Sequence, residues 1–124
     1  MMLPVVFREK TRERYEKRLN FWKELDTDGY VIRNLEEYTF LKENDLLKGM
    51  ITDHNVYTFN KRSREYWRDA GTVWQTNPLE LNARELKEIS AADSIQLIYG
   101  RYPMMVTAGC IHKTLNRCKG VPEQ

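Results

Sequence analysis

The sequence predicts an α/β protein in which alternating β-α units build a parallel sheet of about five strands covered by helices. Three observations predict it. Short apolar runs at residues 3–7, 30–32, 48–52, 72–75 and 94–99 are separated by stretches whose apolar residues recur at helical spacing. Helix-start signals follow several of these runs: Asn34 with Glu37, Asn60, and Asn82 with Glu85. The connections between run and helix are only a few residues long. Five such units would make an open sheet or about half of an eight-stranded barrel.

The elements follow in order. Residues 3–7 are valine-rich and read as a buried strand. Thr11 is placed to cap the first helix, whose Tyr15, Leu19, Trp22 and Leu25 share one face, with Glu13 and Lys17 as an i,i+4 pair opposite. Asp26-Thr27-Asp28-Gly29 ends it; the pattern lacks the alternating oxygen ligands of a calcium loop and reads as a turn. Tyr30, Val31 and Ile32 form the second strand. Asn34 opens a helix with Leu35, Tyr38, Phe40 and Leu41 on its apolar side. A weaker strand spans 48–52. Asn60 caps a third helix over 61–70, with Tyr66, Trp67 and Ala70 pointing inward and Gly71 as its stop. A fourth strand at 72–75 breaks at Asn77-Pro78. A short helix carrying Leu86 and Ile89 leads to the fifth strand, and irregular structure is expected after Thr107.

Composition narrows the function classes. The chain has 124 residues, one domain's worth. Lysine and arginine (20) nearly balance aspartate and glutamate (18), so charge gives no argument for nucleic acid or membrane. No apolar run nears the roughly 18 residues of a membrane helix, and the N-terminal residues 1–7 lack the basic start and the length of a signal peptide. A cytoplasmic protein with no membrane partner is expected. In that compartment the two cysteines, Cys110 and Cys118, are free thiols or metal ligands rather than a disulfide.

Ligands of parallel α/β sheets bind at the carboxyl ends of the strands. That rule selects Arg8, Arg33, Asn34, Asp53, His54, Asn55, Gln75, Tyr99, Gly100 and Arg101, each of which is equally readable as a cap or a solvated loop residue. Glu80 and Asp53 offer a carboxylate pair for acid–base work. The spacing of Cys110 and Cys118 is no zinc pattern by itself; His112 would add a third ligand where a structural zinc takes four. The hydrolase signatures G-x-S-x-G and H-E-x-x-H are absent. Lys61, Arg62, Arg64 and Arg68, interleaved with Tyr57, Phe59, Tyr66 and Trp67, are either an RNA-contacting stretch or the solvated face of a helix whose aromatics are core.

Three separated motifs carry a resemblance. Asp53-His54-Asn55-Val56-Tyr57-Thr58-Phe59-Asn60, Asn77-Pro78-Leu79-Glu80-Leu81-Asn82, and Tyr99-Gly100-Arg101-Tyr102-Pro103-Met104-Met105-Val106-Thr107 with Cys110 resemble, in order, the collagenase-like peptidase family of unknown catalytic type, peptidase family U thirty-two. The resemblance implies a TIM-like β/α barrel and a protease, acting on peptide bonds, with Arg33, Asn34, Asp53, His54, Asn55, Glu80 and Arg101 facing the substrate. It also implies a second chemistry, iron–sulfur-dependent hydroxylation of RNA or a small molecule, with the cluster held by four cysteines. Cys110 matches the second cysteine of that signature and Cys118 the next; the first falls at Pro103, where this sequence departs. Such a cluster therefore requires a longer protein, and this chain alone is expected to hold no cofactor. The expectation is a single domain, 1–124, that is a fragment of a larger barrel protein and self-associates through exposed sheet edges. A non-catalytic scaffold is the remaining alternative.

Overall fold

The structure, a computed structural model, describes residues 1–3, 6–25, 27–101, 103, 106, 109–115 and 117. Helices α1 (Glu9–Glu16) and α2 (Leu19–Glu24) precede strand β1 (Val31–Ile32). Helix α3 (Leu35–Glu43), β2 (Met50–Thr52), a 3-10 turn (His54–Val56), α4 (Lys61–Asp69), β3 (Thr72–Thr76), α5 (Ala83–Ile89), β4 (Ser94–Ile95) and α6 (Ile111–Thr114) follow. The strands form one sheet in the order β1-β2-β3-β4, every neighbouring pair parallel. Met2 adds a parallel bridge to Val31 outside β1. The alternating β-α plan is therefore present, as an open sheet that does not close into a ring.

The core lies on one face of the sheet. Leu3, Tyr30, Ile32 and Met50 pack with Phe7, Phe40, Leu41 and Leu46, all at most 9% exposed. Tyr15, Leu19 and Trp22 pack against this cluster, as the helical spacing predicts, with the Tyr15 and Trp22 rings 4.9 Å apart. Arg12 pairs with Glu16 (2.8 Å) and with Glu43, tying α1 to α3. At the amino ends of the strands, two loops touch backbone to backbone. A Cβ on Gly29 would lie 2.0 Å from the Gly49 carbonyl oxygen, so no larger residue fits. Gly71, at φ +97°, ends α4 as its position predicts.

Several expectations are corrected. The run at 94–99 is paired only at Ser94 and Ile95; Ile98 and Tyr99 are each 93% exposed, and among the described residues no strand lies on the outer side of β4 to hold them. Of the run at 3–7, Leu3 and Phe7 are buried, while Pro4 and Val5 lie outside the described residues. The first helix starts at Glu9 behind an N-cap, Arg8, whose side chain makes no cap, and it breaks at residues 17–18. Leu25 falls beyond α2 and is exposed, as is Leu35. Tyr66 points outward, 56% exposed. A short helix, α6, stands where irregular structure was expected.

The largest correction concerns Arg64. The inward side of α4 carries Arg64 and Trp67, spaced i,i+3, so the arginine is 2% exposed rather than solvated. Its guanidinium donates to Asn77 Oδ1 (2.9 Å) and Ser94 Oγ (2.7 Å) and lies 3.6 Å from the Asp93 carboxylate. Gln75 Nε2 donates to the Arg64 backbone carbonyl at 3.0 Å. These bonds fasten α4 to β3 and β4 where little apolar area is available.

Candidate functional site

The site forms where β1 and β2 end. Asp53 is the first residue past β2, and its backbone N–H donates to Ile32 O (2.8 Å), the last carbonyl of β1. This bond brings the tail of β2 beside Arg33 and Asn34, the tail of β1. The chain then turns through the 3-10 segment, which folds His54 and Asn55 back onto the Asp53 side chain. His54 Nδ1 lies 2.8 Å from Asp53 Oδ1, and Asn55 Nδ2 donates to Asp53 Oδ2 at 2.6 Å. The His54 and Asp53 side chains are 19% and 15% exposed.

A carboxylate accepts hydrogen bonds and has none to give, so Asp53 selects the His54 tautomer with hydrogen on Nδ1. The lone pair then sits on Nε2. Asp53 is itself held by Asn55, which fixes the imidazole plane in turn.

Behind this pair stands Glu37, on the first turn of α3 and 0% exposed. Asn34 caps α3 by accepting from the Glu37 N–H (2.8 Å), and the Glu37 carboxylate in turn accepts from the backbone of Arg33 and Asn34. Glu37 Oε2 accepts from the Arg33 N–H at 2.6 Å. Its other oxygen lies 3.8 Å from Arg33 Nε. Burial raises the Glu37 carboxyl above its ordinary range; the Arg33 backbone bond and charge oppose this, and the nearby Asp53 charge adds to it. The carboxylate whose charge Glu37 feels is thus Asp53. Glu80, the sequence-predicted partner, is exposed in the turn after β3. Sequence reasoning read Glu37 only as a cap; its position on the first helical turn directly behind a strand was the available signal.

Of the predicted rim residues, Arg33, Asn34, Asp53, His54 and Asn55 are brought together. Arg101 stands elsewhere, exposed, in a groove of about 430 Å³ lined also by Leu79, Leu97, Ile98 and Tyr99. A second groove, about 500 Å³, opens between the starts of α1 and α3 and is lined by Phe7, Arg8, Arg12, Leu35 and Thr39. Gln75 is buried within the sheet and bonded to α4 rather than presented at the rim.

Cys110 is exposed at the start of α6, and Cys118 lies outside the described residues. Among the described residues no group of three or more His, Cys, Asp and Glu side chains could hold a metal ion. The chain's two cysteines are half of the four thiolates that such a cluster takes. Among the described residues no helix is long and apolar enough to cross a membrane. No family model, no curated protein and no solved structure matches this chain.

Proposed function

We propose that the rim over β1 and β2 is a substrate site, that Asp53 and His54 work there as a general acid–base pair, and that the reaction is hydrolysis of a peptide bond. The observation that carries the chemistry is the 2.8 Å contact between His54 Nδ1 and Asp53 Oδ1, with both side chains largely buried at strand ends. The choice of peptide substrate rests on the family resemblance of the three motifs.

In this reading His54 Nε2 takes a proton from a water molecule, and the resulting hydroxide attacks the substrate carbonyl carbon. The imidazolium then returns the proton to the leaving amine. Asp53 stabilises the imidazolium without taking its proton. Arg33, which follows β1 as Asp53 follows β2 and is held against Glu37, would stabilise the negative charge that develops on the carbonyl oxygen.

The test is hydrolysis of a mixed peptide library, followed by mass spectrometry, with the chain and with His54→Ala. The expected result is cleavage by the chain and a loss of about 10²–10⁴-fold in the variant. Cleavage that survives His54→Ala would overturn the assignment of the base. No cleavage by the chain itself would overturn the peptidase reading and leave a non-catalytic rim.

A further inference from the structure

Directly beyond the rim cluster the chain turns two aromatic rings to solvent. Tyr57 closes the 3-10 turn that carries His54, and Phe59 follows two residues later; they are 53% and 40% exposed. Their planes are nearly parallel, 10° apart, with ring centroids 5.6 Å from each other. The core rings of Phe7, Tyr15, Trp22 and Phe40 meet instead at tilted or edge-on angles. The Tyr57–Phe59 pair is thus a stacked slab held outside the core rather than part of it.

The backbone fixes the slab to the site. The Tyr57 N–H donates to the His54 carbonyl (3.2 Å), and the Phe59 N–H to the Tyr57 carbonyl (2.9 Å). Thr58, between the two rings, is 1% exposed and pins the loop from inside. Tyr57 itself lies at φ 56° and ψ 54°, the left-handed region that a residue with a bulky side chain rarely adopts. Such strain persists where surrounding structure imposes it, and it concentrates at ligand-binding segments. Asn60 then caps α4, which anchors the far end of the loop.

We infer, resting on the peptidase reading of the rim, that Tyr57 and Phe59 select an aromatic side chain of the peptide beside the bond to be cut. Three observations support that ligand. First, the rings offer flat apolar faces to water, and another ring covers such a face with a gain beyond its buried area. Second, Tyr57 is hydrogen-bonded to the backbone of His54, so its ring lies within the span of a few extended peptide residues, each about 3.3–3.6 Å, from the imidazole. Third, the slab is already assembled, so binding costs little ordering of the loop. Charge favours a peptide over a nucleic-acid strand, which could also stack here. The rim carries the carboxylates of Asp53 and Glu37, and the exposed Lys61 and Arg62 at the start of α4 stand close to the exposed Glu65 in sequence. The net charge of +2 adds little attraction for a phosphate backbone.

Proton–nitrogen NMR titration of the whole chain tests this with two blocked, uncharged pentapeptides that differ only in a central phenylalanine or alanine. Mass spectrometry of the same samples reads cleavage. The chain should bind the phenylalanine peptide about tenfold more tightly, the scale of one ring contact. Tyr57→Asn, where asparagine tolerates the left-handed backbone, and Phe59→Ala should each erase that preference and leave the affinity for the alanine peptide unchanged. Tyr57→Phe should keep the preference. Far-UV circular dichroism confirms that each variant is folded, and Phe59→Ala decides alone if Tyr57→Asn is not. Equal affinity for the two peptides, or a preference that survives in every folded variant, would overturn the inference. So would binding of a short oligouridylate with neither peptide bound. Cleavage without preference would remove the selection and keep the peptidase reading; preference without cleavage would do the reverse.

Discussion

Arg64→Ala is expected to lower the free energy of unfolding by about 3 kcal/mol, the scale for removing one partner of a buried charge network. The reason is what the guanidinium leaves behind. Asn77, 1% exposed, loses the donor to its Oδ1 atom, and Ser94 loses the donor to its hydroxyl. Asp93 keeps Arg68, whose Nη2 lies 3.0 Å away, but loses its buried cation. The methylene stem also vacates the space between α4 and the sheet. Burial pulls the Arg64 pKa below its ordinary value, while the Asp93 charge offsets that pull and Arg68 adds to it. The arginine is therefore tolerated inside because its partners are fixed there. Arg64→Lys should recover only part of the loss, since a point charge cannot span Asn77 and Ser94 as a planar fork does. Arg62→Ala, two residues earlier and exposed, should change stability by less than about 0.5 kcal/mol. Urea unfolding checks all three through the midpoint at constant slope. An Arg64→Ala midpoint equal to that of Arg62→Ala would show that the network contributes nothing.

Glu37 should give the second large effect, in two separable parts. Glu37→Ala is expected to destabilise by about 2–3 kcal/mol, because the half-buried Arg33 N–H loses its acceptor and the Arg33 guanidinium its counter-charge. The other part is pH dependence. The folded carboxyl is raised above its ordinary value, chiefly by burial, so the folded state holds the proton more tightly than the unfolded chain. This contribution to stability is complete below the unfolded value of about 4.5 and is lost as pH rises through the folded one. Asp93 acts in the opposite sense. Burial pushes its carboxyl up, but the Arg68 hydrogen bond and the Arg68 and Arg64 charges together hold it below the ordinary value. Its contribution is present above about 3.8 and is lost as pH falls through the folded value. Stability should therefore climb as pH falls from neutral toward 4.5 and drop again below 3.8. Glu37→Gln, which keeps the acceptor without the charge, should flatten the upper limb and leave the lower one. An upper limb unchanged in Glu37→Gln would show that another group controls it.

The sequence speaks clearly where structure is local. Asn60 and Asn82 cap α4 and α5 with full capping boxes, through Ser63 and Glu85, because those bonds span three residues. The stop at Gly71 and the strand at Val31 and Ile32 are local for the same reason. The rim cluster was legible because Arg33 with Asn34, and Asp53 with His54 and Asn55, lie directly after apolar runs. Arg64 was not, because its partners Asn77 and Ser94 are 13 and 30 residues away and a cation among cations reads as a solvated face. Tyr66 failed in the converse way, as an aromatic on the outer side of the helix that Trp67 anchors. The run at 94–99 has strand composition throughout, but pairing ends where β3 ends, at Thr76 opposite Ile95. Composition could not show that boundary.

The claim on which the functional reading stands is that Asp53 fixes His54 with its hydrogen on Nδ1. Long-range proton–nitrogen NMR of the imidazoles measures this directly, and the chain's two histidines, His54 and His112, keep the spectrum simple. The account predicts that neutral His54 carries its hydrogen on Nδ1, and that Asp53→Asn redistributes it. Neutral His54 with its hydrogen on Nε2, or a tautomer unaffected by Asp53→Asn, would contradict it.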